Sequence, residues 1–90
     1  MARNERPSPA DLSTSWPNQP SSDQAAETAR RFALNLRDAI GKRSVRSVAA
    51  AAGISEGAIR HVLNGSVWPD LRTISRLETA LETSLYPSAN

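Results

Sequence analysis

Residues 44–65 place two short apolar-periodic segments on either side of Gly53-Ile54-Ser55, and no other stretch restricts the folding of this chain as strongly. In the first segment Val45, Val48, Ala49 and Ala52 recur at helical spacing behind Ser44, whose hydroxyl suits it to accept from the N–H groups of a first helical turn. Gly53 follows, at the place where a glycine takes the left-handed conformation without a side-chain clash. In the second segment Ser55 stands as a cap before Ala58, Ile59, Val62 and Leu63, and Asn64-Gly65 closes the helix with residues that tolerate positive φ. Ala49 is small enough to let the two helices approach, and Ile54 and Ile59 plug the junction.

The flanks extend the same pattern. Ser21 with Gln24 resembles a capping box ahead of Ala25, Ala29, Phe32, Ala33, Leu36 and Ile40, which predicts a helix from about residue 22 to Ile40, stopped by Gly41. Asp70 caps a further predicted helix with Leu71, Ile74, Leu77, Ala80, Leu81 and Leu85 facing inward, until Pro87 forbids continuation. Aromatics are 4% of the 90 residues, so the core is drawn from small and aliphatic side chains that suit closely packed helices. The expected fold is all-α, a compact bundle of four or five short helices. Residues 1–20 carry four of the six prolines and no apolar period; they are expected to form a flexible arm ahead of a single domain spanning 21–87.

Composition narrows the chemistry. The chain has no cysteine and one histidine, so neither a thiolate nor a His-rich metal site is available, and no paired carboxylates or phosphate-cradling glycine loop suggest an enzyme, a small-molecule substrate or a cofactor. The longest apolar run, residues 48–53, is too short to span a bilayer, so a cytoplasmic protein with no membrane partner is expected. Between Gly41 and Arg76 the bases Lys42, Arg43, Arg46, Arg60, Arg72 and Arg76 face only Glu56 and Asp70, a local excess that suits a polyanion partner or a solvated surface.

The stretch from Ser44 to Gly65, with Ala49, Gly53, Ile54-Ser55, Ile59 and Asn64-Gly65 in place, resembles the lambda-repressor-like, Cro-type (XRE) helix-turn-helix. The resemblance implies binding to an operator site in double-stranded DNA, usually as a homodimer, by a transcriptional repressor or regulator of phage, prophage or bacterial type. It departs at Val45, where such proteins often carry a phosphate-clamping glutamine; the clamp is then absent or passes to Ser44, Arg43 or Arg46. A helix held out as a ridge fits the major groove, where each base pair shows a distinct donor and acceptor pattern.

With Ala58, Ile59, Val62 and Leu63 inward, Glu56, Gly57, Arg60 and His61 are the candidate base readers. Arg60 can donate twice to guanine, Glu56 can accept from cytosine, His61 can do either, and Gly57 permits close approach; each also has an ordinary role as a surface or helix-terminal residue. Arg43, Ser44, Arg46, Ser55, Asn64, Ser66 and Arg72 are the candidate phosphate contacts. Arg3 and Arg6 offer a basic arm for the minor groove, diluted by Glu5 and Asp11. Trp68 is expected as a lid over the last loop, and Trp16 has no evident partner. Two other readings fit the same fold: an antitoxin that also represses its own promoter, and a helical protein-binding module.

Overall fold

A computed structural model describes residues 6–88, and within them a single 3₁₀ turn, Ala10–Leu12, precedes four α-helices: α1 (Gln24–Ile40), α2 (Val45–Ala52), α3 (Glu56–Leu63) and α4 (Leu71–Leu81). Each helix begins where a side-chain oxygen accepts the N–H three residues on: Asp23 from Ala26, Ser44 from Ser47, Ser55 from Ala58, and Asp70 from Thr73. Three of these caps are the expected ones. The first is a correction: Asp23, not Ser21, caps α1, and the Ser21 hydroxyl stands just ahead of it, accepting the Asp23 N–H at 3.1 Å and donating to the Leu12 carbonyl at 2.6 Å.

One apolar cluster unites the helices. Phe32, Leu36 and Ile40 of α1, Val48, Ala49 and Ala52 of α2, Ile59 and Val62 of α3, and Leu77 and Leu81 of α4 are buried together with Leu85. The all-α bundle is therefore observed, built on aliphatic side chains around one phenylalanine. α2 lies against both α3 and α4, and α1 backs α3. Ala49 and Ala52, 3% and 5% exposed, keep these contacts close. At the turn, Gly53 has φ +71°, and a Cβ there would stand 2.8 Å from Arg76 Nη1, which itself donates to the Ala52 carbonyl at 3.3 Å. Arg76 thus covers the C-terminal end of α2 from α4.

Three expectations are revised. Leu71, expected inward, is 82% exposed, because it stands in the first turn of α4 at the edge of the bundle. Asn64 keeps negative φ (−92°), and Gly65 alone supplies the left-handed residue after α3, at +75°. α4 ends at Leu81, well short of Pro87, through Glu82 in the left-handed conformation at φ +54°. A side chain there costs on the order of 1 kcal/mol relative to glycine. Glu82→Gly is expected to raise the unfolding free energy by about that amount in urea titration, and an unchanged or lower midpoint would contradict the strain.

The proline-rich segment expected to be a flexible arm is packed instead. Residues 7–20 run as a strap over the loop after α3 and back to α1: Trp68 Nε1–H donates to the Pro7 carbonyl (2.9 Å), Ala10 N–H to Gly65 (2.9 Å), Trp16 Nε1–H to Leu63 (2.9 Å), and Arg30 to Pro17 (3.0 Å). Composition misleads here because single indoles and backbone groups hold the strap in place of a periodic apolar face. Trp68 is no closed lid: it is 38% exposed, and its ring nitrogen is spent on the strap.

Where the strap meets α1, Glu27 accepts from Arg30 at 2.7 and 2.9 Å and from the Ser21 N–H at 2.8 Å. The Arg30 hydrogen bonds, then the Ser21 N–H, hold its carboxyl from 4.5 down to about 2. A carboxylate depressed in the folded state stabilises fully above its ordinary value, and that contribution is lost as pH falls from 4.5 through about 2. Water screens this edge of the molecule, so Glu27→Gln is expected to cost only about 1 kcal/mol at neutral pH, a Tm decrease of roughly 4–8 °C. The difference from the parent should shrink toward pH 2, and a constant difference would show that the charge is not what matters.

Candidate nucleic-acid interface

α3 presents one face to the core through Ile59 and Val62 and the other to solvent, where Gly57, Arg60 and His61 are exposed and Glu56 is half-buried. Glu56 stands in the first turn, where the helix dipole favours an anion. It is bracketed by two guanidinium groups: Arg46 Nε of α2 at 3.8 Å and Arg60 Nη2 at 3.5 Å. With side chains 86% and 61% exposed, both arginines hold Glu56 loosely, and such pairs are worth only tenths of a kcal/mol. Either is free to exchange the carboxylate for another acceptor.

His61 lies on the other flank of the ridge, in a shallow cleft whose walls include Ser55, Gly57, Trp68 and Asp70. Arg60 instead borders a second cleft, with Asn64, Arg37, Leu63, Trp16 and Pro17. The outward face of α3 is thus flanked by two concavities of different character, one closed by the loop to α4 and one by the strap.

The turn after α3 is pre-formed. Asn64 Oδ1 accepts the Ser66 N–H at 3.1 Å and the Ser66 hydroxyl at 2.6 Å, while the His61 carbonyl also accepts the Ser66 N–H at 3.0 Å. The side-chain NH₂ of Asn64 remains a donor. At the N-termini of α2 and α3, Ser44 Oγ and Ser55 Oγ each accept a backbone N–H at 3.0 Å, which leaves the hydroxyl proton to donate outward.

The structure therefore draws Arg46, Glu56 and Arg60 into one charged group and His61, Asn64 and Ser66 into one hydrogen-bonded turn. Arg43, in the turn before α2, and Arg72, in the first turn of α4, are exposed. Arg6 is exposed next to Pro7 on the strap, and Arg3 lies outside the described residues. Arg37 and Trp16 were missed as neighbours of the ridge. Arg37 sits one helical turn before Ile40, an outward position that the sequence alone does not bring to α3. Among the described residues no helix is long and apolar enough to cross a membrane.

A family model described as Helix-turn-helix matches residues 35–87. The crystal structure of the restriction-modification controller protein C.AhdI from Aeromonas hydrophila is similar to this chain, with a TM-score of 0.56 at 25% identity, over 60% of this chain and 85% of that one. No curated protein sequence matches the chain.

Proposed function

Since the chain belongs to the lambda-repressor-like, Cro-type (XRE) helix-turn-helix family, we propose that it is a transcription regulator that reads a specific duplex DNA sequence with the outward face of α3. The observation that carries this reading is the face itself: Arg60, His61 and Gly57 exposed on a helix whose opposite side is locked into the core by Ile59 at 0% exposure. Arg60 takes the guanine-reading role, a bidentate contact released from its loose pair with Glu56. His61 and Glu56 read neighbouring positions, and Gly57 lets the backbone close on the groove. Ser44, Ser55, Arg46, Asn64 and Ser66 hold phosphates beside the ridge, together with Arg43 and Arg72. Arg6 adds a weaker contact at the edge.

The regulator acts as a repressor of phage or bacterial type on a two-fold site. Eight helical residues cover about 12 Å, which is roughly three or four base pairs at 3.4 Å each. Two copies reading two half-sites provide the discrimination that one short helix lacks. The similarity to a controller protein supports the regulatory role.

Selection of bound sequences from a random duplex pool, at two salt concentrations, tests this. A palindromic motif with half-sites about one helical turn apart is expected. No enriched motif would overturn sequence-specific reading, and a single asymmetric motif would overturn the two-copy arrangement.

A further inference from the structure

The strap meets α3 at its C-terminal end, and the fit there is tight on both sides. A helix leaves its last four carbonyls without intrahelical donors, and the Leu63 carbonyl receives the Trp16 indole N–H at 2.9 Å. Two residues later the Gly65 carbonyl receives the Ala10 N–H at 2.9 Å. Between these bonds the indole lies against Gly65 so closely that a Cβ at residue 65 would stand 2.6 Å from Trp16 Cε2 and 3.0 Å from Ala10 Cβ. The strap cannot slide along the turn without losing one of the bonds or striking the backbone.

The other end of the strap is anchored in α1. Arg30 of α1 donates to the Pro17 carbonyl at 3.0 Å, and Ser21, just ahead of α1, donates back to the Leu12 carbonyl of the strap at 2.6 Å. The end of α3 is thereby tied to α1 by a route independent of the core. Trp16 and Pro17 also form a wall of the cleft that Arg60 and Asn64 border. The strap lies wholly ahead of residues 35–87, the stretch that matches the family model.

We propose that the strap is a brace for the reading helix and that Trp16 is a positioning residue for DNA selection. It touches α3 rather than DNA and fixes the angle at which Arg60 and Asn64 enter the groove. The inference rests on the proposed reading of DNA by α3. A shift of about 1 Å in a supporting contact is enough to spoil a site that needs hydrogen bonds aligned on base edges, whereas phosphate contacts through long flexible side chains tolerate it.

The test compares affinity for the selected duplex with affinity for a scrambled duplex, using the full chain and its Trp16→Ala and Trp16→Phe variants. Trp16→Ala is expected to lower the ratio of the two affinities about tenfold and to leave the scrambled-duplex affinity and its salt slope unchanged. Trp16→Phe keeps a ring on Gly65 but loses the bond to Leu63, and a decrease of about threefold is expected. Loss of folded protein alone lowers both affinities together and leaves the ratio as it was. If Trp16→Ala does not fold, the Trp16→Phe ratio decides. A parent chain that discriminates while folded variants match its ratio would overturn the brace and spare the reading of DNA; a parent with no preference between duplexes would overturn both.

Discussion

Arg60→Ala should relax discrimination at one base position by roughly fivefold to 150-fold, the 1–3 kcal/mol that a bidentate arginine–guanine pair supplies. It should do so without loss of fold. The Arg60 side chain is 61% exposed, and its partner Glu56 at 3.5 Å retains the company of Arg46. The variant selected against the same random pool should yield the parent motif with one position degenerate. Arg43→Ala gives the contrast: if the residue holds a phosphate as proposed, its removal weakens all duplexes alike and lowers the salt slope by about one unit. A motif unchanged by Arg60→Ala would remove this residue from the reading set, and the weight would pass to His61 on the opposite flank.

The second large effect falls on the same helix from the other side. Ile59 is fully buried in the cluster that joins all four helices, one residue from Arg60. Ile59→Ala removes buried methyl groups and leaves a cavity, a combined loss of roughly 2–5 kcal/mol. Small domains hold only about 5–15 kcal/mol in total, so the variant should be largely destabilised in urea titration, and its DNA affinity should fall for every sequence in proportion. Ile59→Val, at about 0.5–1.5 kcal/mol, should bind as the parent does wherever it is folded. The two adjacent residues thus separate presentation of the helix from reading by it. Equal stability of Ile59→Ala and the parent would show that α3 is not held by the shared core.

The parts of this structure that were legible in the chain are those where one residue type answers one local need. Ser44, Ser55 and Asp70 accept backbone N–H groups at three helix starts, and Gly53 takes the left-handed turn, because few residues do either well. The start of α1 was less legible, since Ser21 and Asp23 are both good caps two residues apart, and in the structure Ser21 accepts the Asp23 N–H while Asp23 accepts that of Ala26. Leu71 fits the apolar period of α4 yet faces water, because periodicity shows which side of a helix is apolar and not how far the bundle reaches along it.

The candidate site divides in the same way. The outward face of α3 follows from helical spacing once Ile59 and Val62 are taken as buried, and the structure places them so. The strap left no such signal. Its anchors are two indoles, a handful of backbone carbonyls and the lack of a side chain at Gly65, and contacts 47 and 61 residues apart in sequence leave no period to detect. Arg37 was hidden for a related reason, since its place beside Arg60 depends on how α1 crosses α3.

The central claim, that the outward face of α3 meets duplex DNA, is tested most directly by following backbone amide resonances during titration with the selected duplex. The largest changes are expected from Ser55 to Ser66 and at Arg46, with Ala25, Thr28 and Tyr86, which border an apolar cleft elsewhere on the bundle, left almost unmoved. Changes concentrated at Ala25, Thr28 and Tyr86, with residues 55–66 unaffected, would contradict it.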